Sequence, residues 1–309
     1  MSQLIQNFNN MNTEEIDTTI SSENNFDIMV NEIVLLFENT DMERRKHEIV
    51  NYLNNYNITS QEIYNWLLNN QNNSNSVFLL GIFNHLGIEI NVDEQKAFKL
   101  YQIAANSENA PGIVSLGYCY ENGIGTNIDK QKAFELYQKA ANLENTRGIT
   151  NLGYCYENGI GTNIDKQKAF ELFQKAANLE NTQNARGITN LGTCYEYGIG
   201  TNIDKRKAFE LYQKAANLEN IRGIINLGTC YYHGIGTNID KQKAFELYKK
   251  AANLGNRVAQ YNLAIMYEYE DGIKKDINQA IYWYTKSAEQ GYQKAQNQLN
   301  KLINKKDLL

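Results

Sequence analysis

Residues 152–166, LGYCYENGIGTNIDK, occur again with few changes at 116–130, 191–205 and 227–241. Each copy is followed by a variant of KAFELYQKAANLEN, at 132–145, 168–181, 207–220 and 243–256. The Leu-Gly pairs start at 116, 152, 191 and 227, in steps of 36, 39 and 36 residues. Self-similarity at this period marks a solenoid, whose units must bury their apolar faces against one another. The 309 residues would suffice for two ordinary domains, but the period predicts one repeat array instead.

Within a copy the apolar spacing predicts two helices. Ile149, Leu152, Gly153 and Tyr156 fall at i, i+3, i+4 and i+7, one face of a helix A. Gly153 removes a side chain where a partner helix must come close. Gly159 suits a left-handed C-terminal cap, and Asp165 an N-cap for helix B. In helix B, Ala169, Phe170, Phe173, Ala176 and Ala177 point inward, while Glu171 and Lys175 pair outside. One such hairpin cannot bury its stripe alone, so the copies stack.

The rest of the chain is placed around this array. Residues 1–25 are rich in Asn, Ser and Thr and read as a disordered or loosely ordered tail. Residues 26–75 read as a helical cap over the end of the array. A first helix carries Phe26, Val30, Ile33, Val34 and Phe37, and Thr40 with Glu43 suggests a capping box for a second, bearing Ile49, Val50 and Leu53. Thr59 with Glu62 repeats that signature for a third helix, with Ile63, Trp66 and Leu67 inward. Asn70–Asn75 reads as the joining loop. The array spans 76–302: a degenerate first repeat, four close copies from Ala110, a divergent sixth ending near Gly291, and a terminal helix. The extra residues around Gln183–Ala185 lengthen one turn, and 303–309 form a short tail.

Composition narrows the function classes. A net charge of -5 has the wrong sign for a general phosphate binder, so no nucleic-acid partner is expected. No apolar run reaches the roughly 20 residues of a membrane span. The N-terminus lacks a basic start followed by an apolar core, which predicts a cytoplasmic protein, with the nucleus as the other option. Cys119, Cys155, Cys194 and Cys230 hold the same place in successive repeats. Stacked helices lie about 8–10 Å apart, too far for a comfortable disulfide, so these read as core thiols. GIGTNIDK follows a helix rather than a strand and lacks GK[ST], so it reads as a turn with caps and not a phosphate loop. His47, His85 and His233 are scattered, and no nucleophile–base pair is legible. The expectation is a non-enzymatic protein without cofactor or metal.

The spacing of Leu152-Gly153, Tyr156, Gly159, Gly161, Asp165, Lys168-Ala169 and Ala176-Ala177 resembles the Sel-1-like repeat, a relative of the tetratricopeptide repeat. The resemblance covers roughly 76–302. It departs from the usual pattern at Gly148, Gly187 and Gly223, where helix A commonly starts with alanine, and at Ala264, which replaces the usual glycine. It implies an all-α, right-handed α-solenoid of antiparallel helix pairs that serves as a scaffold or adaptor. Members occur in signalling complexes, membrane-protein quality control and cell-wall synthesis regulation, and beside fungal kinase domains. The style of residues 26–75 is similar to that last type, although no HRD, DFG or Gly-rich kinase loop is present.

On this reading the A helices line a concave groove that binds a protein or peptide. The residues two before and two after each Leu are expected to face it: Thr150 and Tyr154, Thr189 and Thr193, Ile225 and Thr229. Arg147, Arg186 and Arg222 form a second ladder one turn earlier, with Glu121, Glu157 and Glu196 further along. Arginine, hydroxyl and carboxylate in register would grip an extended peptide or an acidic segment. The expected role is an intracellular signalling adaptor, the alternative a regulatory subunit of a kinase or cell-wall synthase. Oligomeric state is left open.

Overall fold

The computed structural model describes residues 23–40, 44–179 and 185–306. Among them are sixteen helices and no strand. Residues 1–22 of the expected tail, Glu43, and residues 183, 184 and 307–309 lie outside the described residues. The chain divides into two compact units, Met1–Gly187 and Ile188–Leu309.

The first unit begins with α1 (Glu23–Asn39), α2 (Arg45–Asn55) and α3 (Ser60–Asn69). The repeat helices follow as α4 (Ser74–Leu86), α5 (Glu94–Asn106), α6 (Ala110–Asn122), α7 (Lys130–Asn142), α8 (Thr146–Asn158) and α9 (Lys166–Asn178). Helices α4 and α5, α6 and α7, and α8 and α9 pack as hairpins, while α5 meets α6 and α7 meets α8. Helix α6 also touches α8, so consecutive A helices lie side by side. The expected inward face of α1 is correct: Val30, Ile33, Val34 and Phe37 are buried, against α2 and α4. Thr59 and Glu62 form the predicted capping box. Thr40 does not cap α2: its hydroxyl donates back to Leu36 O at 2.7 Å, and Arg44 at the N-cap makes no side-chain cap.

The second unit holds most of α10 (Ala185–Tyr197), then α11 (Lys205–Asn217), α12 (Ile221–His233), α13 (Lys241–Asn253), α14 (Arg257–Tyr269), α15 (Ile277–Glu289) and α16 (Gln293–Lys306). Each helix packs on the next from α11 onward. Helix α16 runs to Lys306, beyond the Leu302 boundary expected for the array.

Both units use the same joints. The glycine of each Leu-Gly pair makes room for an aromatic ring: a Cβ on Gly153 would lie 2.7 Å from the Phe173 ring, and one on Gly192 2.7 Å from Tyr212. Asp165 and Asp204 cap their B helices by accepting from Lys168 N and Lys207 N at 3.0 Å. The B-helix phenylalanine then meets the next A-helix tyrosine edge-on: Phe134 on Tyr156 and Phe209 on Tyr231, both at 5.4 Å. The A-helix tyrosines thus form the joints between repeats. All four cysteines are buried, and none forms a disulfide.

Candidate functional site

Asparagine ends nearly every repeat, and in the first unit it does two jobs. The side-chain oxygens of Asn109 and Asn145 cap α6 and α8, accepting from Gly112 N at 2.8 Å and Gly148 N at 2.9 Å. Their amide nitrogens are then left to donate sideways. Asn145 Nδ2 gives to both carboxylate oxygens of Glu38 on α1, at 3.2 and 3.0 Å. Asn109 Nδ2 donates to Asn75 Oδ1 at 2.6 Å, and Asn75 Nδ2 to Asn31 Oδ1 of α1 at 2.7 Å. Helix α1 therefore reaches the first repeat at Asn75 and the close of the second at Asn145. It was expected to cover only the end of the array.

Phe37, beside Glu38, completes this seat. Its ring stands edge-on to Phe78 at 5.5 Å. Two guanidinium groups lie against it, Arg45 at 4.1 Å and Arg147 at 4.9 Å from the ring centre. Each such contact is worth about 0.5–2 kcal/mol, more as water is excluded. Arg147 nevertheless sits awkwardly: its Nε and Nη1 are sealed from solvent and have no hydrogen-bond partner. Burial pulls its proton affinity down, nearby Glu38 opposes that, and the charge of Arg186 adds to it.

The candidate residues fall into distinct environments. Arg147, expected in an open groove, lies at the α1 seat. Thr150 is fully buried, its hydroxyl donating to Thr146 O at 2.8 Å, so it does not face a groove as expected. The same holds for Thr189, fully buried and donating to Asn220 Oδ1 at 3.0 Å. The hydroxyl of Thr150 is thus spent within α8, and that of Thr189 on the start of the next A helix, α12. Thr193 donates to Thr189 O at 3.1 Å and accepts from Tyr212 at 3.3 Å. Thr229 donates to Ile225 O at 3.0 Å and lies 3.0 Å from the Tyr248 hydroxyl.

The carboxylate ladder also works inward. Glu121 and Glu196 accept the hydroxyls of Tyr137 and Tyr212, each at 2.7 Å. Burial above all, with the adjacent carboxylate, holds both tyrosines well above their usual pKa. Glu157 is half-buried, and its repeat has Phe173 at the tyrosine position. That leaves Tyr154, Arg186 and Arg222 exposed. Arg222 Nη1 donates to Asn190 Oδ1 at 3.3 Å, linking neighbouring A helices. Sequence reasoning missed Glu38, Asn109 and Asn145. For the two asparagines, the signal available was the residue that closes each SEN, LEN or LGN.

The A-helix face thus presents guanidinium and amide donors, a chemistry suited to carboxylates and main-chain carbonyls. Burial pushes the thiols of Cys119, Cys155 and Cys230 up to about 12, so they stay protonated and unreactive at neutral pH. No helix among the described residues is long and apolar enough to cross a membrane.

Comparison with known proteins agrees with this architecture. Six segments, 74–109, 110–145, 146–181, 185–220, 221–256 and 257–292, match the model of the Sel1 repeat. A Sel1 repeat protein from Oxalobacter formigenes is 28% identical, with a TM-score of 0.59 over 72% of this chain and 86% of that one. The c5321 protein, a protective antigen of uropathogenic Escherichia coli with an SLR fold, is 26% identical, with a TM-score of 0.55 over 96% and 68%. Yeast Tom70 shares the fold at 14% identity, TM-score 0.52, over 93% and 66%. No curated protein matches the chain.

Proposed function

Because the chain belongs to the Sel1 repeat family, whose members are scaffolds that generally mediate protein–protein interactions, we propose that it is a non-catalytic adaptor binding a protein client on its A-helix face. One observation carries this reading. In the first unit that face already holds a helix, through Asn145, Arg147 and Phe78. A surface that orders a helix in cis has the apolar seat and the donors to order one in trans. The signalling role rests on the family resemblance and on the absence of any legible catalytic constellation in the sequence.

The test is affinity capture with the intact chain and Arg222→Ala, followed by titration of the captured client against both purified proteins. Arg222 is exposed, so its loss should spare the fold. The expected result is one discrete client whose affinity falls about tenfold or more, as for a charged interfacial hydrogen bond. A client bound equally by both proteins would move the binding surface away from the A helices of the second unit.

A further inference from the structure

The seat of α1 is incompletely satisfied, and the deficits lie at both of its ends. At one end Phe26 stacks on Trp66 at 5.5 Å, and Trp66 Nε1 is buried without an acceptor. At the other, Phe37 and Glu38 cover Arg147, whose Nε and Nη1 are buried without acceptors. Native interiors pair nearly all such groups, so a resident that leaves these donors unmatched is a poor fit to its own seat.

Cationic groups gather at this second end. Arg45 and Arg147 both lie against the Phe37 ring, and the charge of Arg186 acts on Arg147. Glu38 is the carboxylate that α1 supplies to this end, and both of its oxygens are engaged by Asn145. A ligand with a further acceptor would meet donors that α1 leaves unused.

From these observations we infer that α1 is a resident, displaceable occupant of a helix-binding site, and that the site's external ligand is an acidic amphipathic helix carrying an aromatic residue followed by a carboxylate, as α1 does, with a further acceptor for the donors α1 leaves unused. The inference rests on the reading of the A-helix face as the client-binding face and names the client's chemistry for the first unit. Helix α1 is the template for that ligand. Its apolar stripe, Met29, Val30, Ile33, Val34 and Phe37, supplies the buried face, and Glu38 supplies the anion. While α1 is docked, the site admits an external helix only in proportion to the fraction of time it stands open.

The probe is a fluorescent peptide with the sequence of residues 23–39, titrated onto the full chain and followed by anisotropy. Two full-chain variants loosen the resident helix: Phe37→Ala, and Glu38→Gln, which keeps the aromatic packing and serves where Phe37→Ala fails to fold. The expected result is peptide binding at least about tenfold tighter to either variant than to the wild-type chain. A probe carrying Glu38→Gln should bind the loosened chain about tenfold more weakly, and adding Arg147→Ala to that chain should weaken the native probe similarly. Equal binding to wild-type and loosened chains, or binding indifferent to Arg147→Ala, would overturn the inference. The adaptor reading is tested separately by Arg222→Ala, so a failed peptide titration beside a client lost with Arg222→Ala would sink the inference and leave that reading standing.

Discussion

The two units apply one repeat to two different ends. In the first, the asparagine closing a repeat reaches out to α1: Asn145 holds Glu38. In the second, the corresponding Asn220 turns inward, capping α12 at Gly223 and accepting the Thr189 hydroxyl. The arginine two residues later follows suit. Arg147 is trapped against Phe37 without hydrogen bonds at two of its nitrogens, whereas Arg222 is exposed and bonded to Asn190. The internal joints, Leu-Gly against the B-helix ring and Phe against the next Tyr, are the same in both. Packing therefore defines the repeat, and the residues at the start of helix A decide what each unit presents to a partner.

The largest effect that would break this contrast is at Phe37. Phe37→Ala removes a buried ring shared by Phe78, Arg45 and Arg147, and should cost the docking of α1 about 3–5 kcal/mol. Faster hydrogen exchange should appear in α1 and leave α12 and α14 unchanged. Loss spread evenly through both units would contradict the division.

Next come the tight helix starts. A Cβ on Gly148 would lie 2.6 Å from Ala140 Cβ, and one on Gly223 2.6 Å from Ala215 Cβ, with backbone close behind in each case. Gly148→Ala and Gly223→Ala should each cost about 1–3 kcal/mol in urea unfolding, because the adjoining helices cannot separate without losing packing. Only Gly148→Ala should also loosen α1, since Gly148 adjoins Arg147 and receives the Asn145 cap.

A smaller gain is expected at the turns between repeats. Glu144 and Glu219 adopt left-handed conformations, φ 56° and 61°, where the fifth repeat has Gly255 at φ 87°. Glu144→Gly should raise stability by up to about 1 kcal/mol by removing the side-chain clash of that conformation, and Gly255→Ala should lower it comparably. Thermal melts of the two variants would settle the sign.

The mildest effect is one of pH and belongs to the first unit. His85, beside the Tyr101 hydroxyl at 3.2 Å, occupies the place that Glu121 and Glu196 fill in later repeats. Burial holds its pKa below the ordinary 6.5, with Glu94 opposing and Arg45 adding. The unfolded chain therefore takes up this proton first as pH falls. Its contribution to stability is complete above about 6.5 and declines below it. His85→Gln should flatten that part of a pH series of urea midpoints.

Much of this was readable from the chain. The 36-residue step, the Leu-Gly glycines, the Asp caps and the inward face of α1 follow from periodicity and local capping, which act within a helix or between adjacent ones. The binding face was less legible. Thr150 and Thr189 stand at positions that point off helix A, but both are fully buried, and the spacing within one helix does not report what packs over such a position. The pairing of Glu38 with Asn145 joins residues 107 apart, and no periodicity reports a contact between a unique helix and a repeated one. Asn145 itself was hidden by its commonest role, since an asparagine before a helix reads first as a cap.

The central claim is that α1 is a separable occupant of the first unit's A-helix face, and native-state hydrogen exchange of the full chain tests it most directly. The account predicts that amides of residues 29–37 exchange through a local opening well below the free energy needed to expose those of α8, and that Phe37→Ala lowers the first without moving the second. Amides of α1 and α8 that exchange together, through one opening shifted equally by Phe37→Ala, would show α1 to be an integral part of the core and contradict the claim.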